Sequence, residues 1–156
     1  MNSKLTGNPV VIYSENLPGN FDSCEVLRGI IVRFCKSMDF AFGRLTEIEM
    51  AVGEACINIV EHGYKNRLDS PHIGVVVKKY ENGLEIILCD WSATAFPLDV
   101  IAALTPEEFM EQHRSRGLGV YLIRTCVDSI EHKFLDGQGN ISTLVKLIKG
   151  APLENA

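Results

Sequence analysis

The sequence predicts an α+β fold, a two-layer sandwich in which an antiparallel or mixed β-sheet carries helices on one face. Three observations point to it. Apolar residues recur at helical spacing in long stretches between Cys24 and Ile130. Two β-rich runs, Ile73 to Tyr80 and Leu84 to Cys89, flank Glu81-Asn82-Gly83, and Asn-Gly between such runs signals a hairpin. No internal repeat, low-complexity tract or linker divides the 156 residues. A single domain over 1–156 is therefore expected, with 1–8 and 150–156 as loose tails.

Val10 to Tyr13 is a short β-branched run and reads as the first strand. Leu17-Pro18-Gly19-Asn20 reads as a turn, with Asn20 or Asp22 placed to cap the helix that follows. From Cys24 to Met38, Val26, Leu27, Ile30, Ile31 and Phe34 form a helical stripe, and Gly43 closes the section. Thr46-Glu47-Ile48-Glu49 has the form of a capping box, a hydroxyl followed three residues later by a carboxylate. Ile48, Val52, Ala55 and Ile59 then make a buried stripe, and Gly63 is placed to stop that helix. After the hairpin a loop runs from Asp90 to about Pro106. Thr105-Pro106-Glu107-Glu108 supplies a cap, a proline at the first helical position and acids in the first turn, which predicts a short helix to Gln112. Gly119 to Ile130 reads as a third long helix, Asp136 to Asn140 as a turn and Ile141 to Lys149 as the last strand.

Composition narrows the function classes. Hydrophobic residues make up 46% of the chain, enough for a core and too many for disorder. A net charge of −5 argues against direct nucleic-acid binding, which draws on positive surface. No apolar run reaches transmembrane length, and Met1 to Pro9 has no signal-peptide apolar segment. The five cysteines are scattered and form no CxxC, so the expected state is buried free thiols in a reducing cytoplasm.

Four pieces that could carry chemistry occur in order. Glu54 and Asn58 are four apart, so on a helix they share a face; a carboxylate one turn from an amide offers a base beside a ligand for Mg²⁺, which prefers hard oxygen donors. Asp90 directly follows a strand, and a carboxylate can accept from an exocyclic amine. Arg116-Gly117-Leu118-Gly119 leads into a helix whose N-terminus favours an anion, and its glycines permit close backbone approach. Thr143 lies in the last strand. Arg114 and Arg116 are both candidates for a basic contact to a phosphate.

The stretches EMAVGEACINIVEHGYKN, ILCDWSATAFPLD and RSRGLGVYLIRTCVDSIEHKF, with the ending TLVKLIK, resemble the GHKL (Bergerat-fold) ATPases, and among them the bacterial anti-sigma-factor serine/threonine kinases. The likeness runs from about Pro9 to Lys149. It implies a kinase that uses ATP and Mg²⁺, holds a sigma factor, and phosphorylates a serine of an anti-sigma-factor antagonist in a partner-switching circuit, as a homodimer. It further implies that Glu54 is the general base, Asn58 the Mg²⁺ ligand and Asp90 the reader of the adenine amino group. Gly117, Leu118 and Gly119 would form the turn that approaches the phosphates, and Thr143 would supply a hydroxyl on the adenine side. The chain departs from the family at one place: Ser92 stands where a D-x-G pattern has glycine. That departure supports an alternative, a regulatory protein-binding module of the same fold with weak or no nucleotide turnover.

Overall fold

The computed structural model describes residues 4–64, 69, 71–92, 107 and 118–150. In chain order the elements are β1 (Val10–Pro18), α1 (Phe21–Ser37), α2 (Phe42–Asn58) with a π-helical turn (Ile59–Gly63), β2 (His72–Tyr80), β3 (Gly83–Asp90), α3 (Leu118–Cys126), β4 (Ser129–Leu135) and β5 (Gly139–Leu147). The strands form one sheet in the order β1-β2-β3-β5-β4, and every neighbouring pair is antiparallel.

Alternation along the strands decides which face the helices cover. Ile73, Val75 and Val77 of β2, Leu84, Ile86 and Leu88 of β3 and Leu144 of β5 are all buried. They meet Leu27 and Ile31 of α1, Ile48 and Val52 of α2 and Ile123 of α3 in one core. Each aliphatic side chain buried this completely stabilises the fold by about 1.5–3 kcal/mol. At one corner Arg44 donates to Asp128 at 2.6 Å and to the Leu147 carbonyl at 2.8 Å, while the Leu147 amide donates to Asp128 at 2.7 Å. Beside it Lys146, buried, is paired with Glu47 and donates to the Cys126 carbonyl at 2.6 Å. These bonds fix the start of α2 to the α3–β4 connection.

The capping expectation for α1 holds at Asn20, whose Oδ1 accepts from the Ser23 amide at 3.0 Å. Other expectations need correcting. The first strand continues past Tyr13 to Pro18, and the proline is tolerated because β1 is an edge strand. Gly43 closes nothing: α1 ends at Ser37 with Met38 as its C-cap, Asp39 takes a positive φ of 58°, and α2 begins at Phe42. Thr46 is therefore inside α2 rather than capping it, and its hydroxyl donates to the Phe42 carbonyl one turn back. The third helix stops at Cys126, and the stretch from Ser129 to Leu135 is the strand β4. The tail assigned to 1–8 is partly anchored. The Thr6 amide donates to Asn82 Oδ1, Asn82 Nδ2 to the Lys4 carbonyl, and the Glu81 amide to the Thr6 carbonyl. Of the short helix expected to Gln112, only Glu107, which is helical, lies among the described residues.

All five cysteines are free thiols. Burial pushes Cys35 up to about 12. The neighbouring Cys56 thiol lowers Cys24, while Cys24 and burial together raise Cys56. No helix among the described residues is long and apolar enough to cross a membrane.

Candidate functional site

The site is built along α2. Its buried stripe turns one side of the helix to the sheet, which leaves Glu54 half-buried and Asn58 buried on the side that meets α3. At Gly119 the two helices come close together. A Cβ there would lie 2.8 Å from Glu54 Oε2, 3.6 Å from Asn58 Oδ1 and 3.8 Å from Asn58 Nδ2. Gly119 is in the first turn of α3, so that helix starts directly against the carboxylate and the amide. Among the described residues Glu54 forms no hydrogen bond or ion pair, and Asn58 Nδ2 is buried without a partner. An unsatisfied buried amide costs about 1–3 kcal/mol, which a ligand can recover.

After Asn58 the helix changes register. The Ile59 amide is shared between the Ala55 and Cys56 carbonyls, and the next residues form the π turn. Such turns re-aim the chain at functional positions. Here the turn delivers Gly63 to the end of β3, where a Cβ on Gly63 would lie 3.2 Å from Ser92 Cβ and 3.8 Å from Asp90 Oδ1. Tyr64 then locks the corner: its hydroxyl donates to the His72 carbonyl at 2.6 Å and accepts from the Trp91 amide at 2.9 Å. Glu54 and Gly63 are separated by about 13 Å of helix at 1.5 Å per residue, the scale of an extended nucleotide.

Asp90 is buried at this far end and held by three donors, all on Oδ1: the Ser92 amide at 3.0 Å, the Ser92 hydroxyl at 2.6 Å and Asn140 Nδ2 at 3.1 Å. Asn140 Nδ2 also donates to Ser92 Oγ at 2.8 Å. Asn140 reaches Asp90 because the two residues are opposite each other across β3 and β5. Gly139 makes that approach possible. Its φ is +97°, and a Cβ on it would lie 1.9 Å from the Asp90 carbonyl oxygen.

The structure thus brings together Glu54, Asn58 and Gly119 at one end and Asp90 and Ser92 at the other. Thr143 does not join them. It is opposite Ile87 and therefore on the sheet face away from the helices, whereas Ser142, opposite Leu88, shares the face of Asp90. Arg114, Arg116, Gly117 and the Leu118 side chain lie outside the described residues. Trp91 places its ring 3.3 Å from the Cβ position of Gly74 and remains half exposed. From the sequence Gly63 reads only as a helix stop, and Gly139 and Asn140 only as part of a turn. Only the strand register exposes Asn140, since it is 50 residues from Asp90.

The residues at the Glu54 end suit a hard divalent cation held with phosphates. Asn58 offers an amide oxygen beside an orphaned N–H, and Gly119 keeps the space open. Among the described residues no group of three His, Cys, Asp or Glu side chains forms a closed cage, and Mg²⁺ characteristically takes one or two protein ligands and completes its shell with phosphate and water.

Comparison with known proteins identifies the family. The chain is 29% identical over 142 residues to the Serine-protein kinase RsbW of Bacillus cereus, across 89% of this chain and 86% of the relative. The Bacillus anthracis protein of the same name matches at the same 29% identity over 142 residues. Among solved structures, the RsbU and RsbW domains of a Mycobacterium tuberculosis protein superpose with a TM-score of 0.58 at 15% identity, over 90% of this chain and 32% of that chain; this likeness is one of fold. A family model described as a histidine kinase-like ATPase domain matches residues 17–146, across both ends of the site. The chain belongs to the histidine kinase-like ATPase domain family.

Proposed function

We propose that the chain is an ATP-dependent serine/threonine protein kinase that phosphorylates a serine of a small partner protein. The observation that carries this reading is a carboxylate with no protein partner among the described residues, Glu54, lying one turn from Asn58 against the start of α3. The named RsbW relatives and the ATPase family support serine as acceptor and ATP as phosphoryl donor.

Each residue then has a physical task. The nucleotide lies along α2, its base at Asp90 and its phosphates at the N-terminus of α3, where unsatisfied amides and the helix dipole favour negative charge. Glu54 accepts the proton of the incoming serine hydroxyl. Asn58 would hold Mg²⁺ through its amide oxygen while its N–H meets a phosphate oxygen. A bound Mg²⁺ offsets phosphate charge and orients the triphosphate. Arg114 or Arg116 would supply the basic contact to the γ-phosphate.

The likeness to the anti-sigma-factor kinases extends the proposal to partners. The chain holds a sigma factor and phosphorylates an antagonist of that complex, as a cytoplasmic homodimer without direct nucleic-acid or membrane contact. The added phosphate, about −1.5 to −2 in charge, weakens the antagonist complex against a chain of net charge −5. Whichever partner binds more tightly then displaces the other by mass action.

The test is transfer of label from the γ-phosphate of ATP to a serine of the antagonist protein, with ATP affinity measured with and without Mg²⁺. Asn58→Ala is expected to weaken Mg²⁺-dependent ATP binding by roughly tenfold or more and to remove transfer. A variant that binds and transfers like the wild type rules the site out.

Gly119→Ala probes the same contact from the other helix. The added methyl would meet Glu54 Oε2 at 2.8 Å, the far end of a flexible side chain, so the carboxylate moves and the fold does not. The melting temperature is expected to stay within about 2–4 °C of wild type, since the change costs about 1 kcal/mol or less. Transfer is expected to fall by up to roughly a hundredfold, the cost of a misplaced catalytic group. Unchanged transfer in a folded Gly119→Ala protein contradicts the role given to Glu54.

A further inference from the structure

We infer that Ser92 and Asn140 act as specificity-determining residues that make the site read adenine and reject guanine. The inference rests on the reading of Asp90 as the carboxylate that meets the purine. Its physical basis is how the two carboxylate oxygens are used. Oδ1 takes the Ser92 amide at 3.0 Å, the Ser92 hydroxyl at 2.6 Å and Asn140 Nδ2 at 3.1 Å. An oxygen with two lone pairs that already accepts three donors has no capacity for a fourth. No described residue donates to Oδ2.

The bonds also fix the direction of each donor. Ser92 Oγ gives its proton to Asp90 and accepts from Asn140 Nδ2 at 2.8 Å, so the two hydrogens of that amide nitrogen are divided between Ser92 and Asp90. Asp90, Ser92 and Asn140 are 6%, 6% and 2% exposed, so water does not compete for these bonds. The carboxylate is therefore left with a single free oxygen, Oδ2, to offer a ligand.

Adenine and guanine differ in what they offer to such a group. The adenine edge presents one exocyclic amine as donor beside a ring nitrogen acceptor. Guanine presents two parallel donors, its ring N1–H and its 2-amino group, and these pair best with both oxygens of one carboxylate. A carboxylate with one oxygen occupied accepts the adenine amine in full and can satisfy only half of the guanine edge. The unpaired guanine donor would be buried at a cost, and that cost is the source of discrimination. Ser92, which stands where the related kinases have glycine, becomes part of the recognition device rather than an obstruction.

The experiment is competitive binding of ATP and GTP to the intact protein, displacing a fluorescent ATP analogue in the presence of Mg²⁺. It compares wild type with Ser92→Ala, Asn140→Ala and the double variant, each checked by thermal unfolding. The quantity read is the ratio of the GTP to the ATP dissociation constant, because general damage to the pocket weakens both nucleotides and leaves the ratio alone. Wild type is expected to prefer ATP. The ratio is expected to fall by roughly tenfold to a hundredfold in the double variant, the worth of one hydrogen bond to a charged group, with a smaller fall in each single variant. If the double variant does not fold, Ser92→Ala, which keeps the backbone amide on Oδ1, carries the comparison. A ratio that stays at the wild-type value in folded variants overturns the inference and leaves the kinase reading standing. A wild-type protein that binds neither nucleotide overturns the kinase reading itself, and the inference with it.

Discussion

Glu54→Gln is expected to fold and to bind ATP as the wild type does, and to lose phosphoryl transfer by roughly 10²–10⁴-fold, the range for removing a general base. Stability is spared because Glu54 gives up no hydrogen bond or ion pair among the described residues, and Gln has nearly the same size and helix propensity. ATP affinity is spared because the carboxylate is assigned to the acceptor hydroxyl and not to the nucleotide. A neutral amide in the same place, 2.8 Å from the Cβ position of Gly119, can still contact the serine oxygen but cannot take its proton. The effect should therefore fall on the rate of the chemical step and leave the Michaelis constant for ATP nearly unchanged. Single-turnover transfer to the antagonist, run beside an ATP-binding isotherm, separates the two quantities. If transfer by Glu54→Gln stays within about threefold of wild type, the proton must leave by another route, as it can where positioning and charge stabilisation dominate catalysis.

How much of this was legible beforehand depended on the distance over which each feature is encoded. Local patterns read correctly. The Ile48, Val52, Ala55 stripe is in the core, Asn20 caps α1, and Asn82-Gly83 turns the hairpin. Glu54 and Asn58 share a helix face, because a spacing of four needs no knowledge of the rest of the chain. The errors came where a local pattern competes with a tertiary one. Thr46 and Glu49 imitate a cap, but packing of Phe40 and Leu45 and the bond from Arg44 to Asp128 carry the helix start back to Phe42. Val127 and Ile130 prolong the apolar run of α3, so the sequence pattern predicts a longer helix than the one that forms. The period-two pattern of Ile130, His132 and Phe134 was the available sign of β4. Thr143 and Ser142 differ by one position, and which of them faces the helices follows only from the pairing of β5 with β3. Asn140 was hidden for the same reason, inside a Gly-rich stretch that reads as a turn.

Gly139→Ala is expected to be the most damaging single-atom-scale change near the site, at a cost of roughly 3–5 kcal/mol, since the added carbon has no permitted place. It would lie 1.9 Å from the Asp90 carbonyl oxygen and 2.8 Å from Trp91 Cα. Both obstacles are backbone, so no side-chain rotation relieves the clash. A φ of +97° adds strain for any residue with a Cβ. The only relief is to separate the start of β5 from the end of β3, which breaks the pairing that sets Asn140 opposite Asp90. Gly137 is the internal control. It too has a positive φ, 76°, but a Cβ there meets nothing within 4 Å. Gly137→Ala should thus cost only the backbone strain, about 1–2 kcal/mol. At roughly 2–4 °C per kcal/mol for a chain of this size, the two variants should melt several degrees apart, and urea unfolding should rank them in the same order. Gly139→Ala should also lose ATP affinity in whatever fraction remains folded, because the clash is transmitted to Asp90, the carboxylate proposed to meet the base. Equal stability of the two variants would mean that the β3–β5 junction yields easily, and Asp90 would then lack the rigid support on which selective recognition of a purine depends.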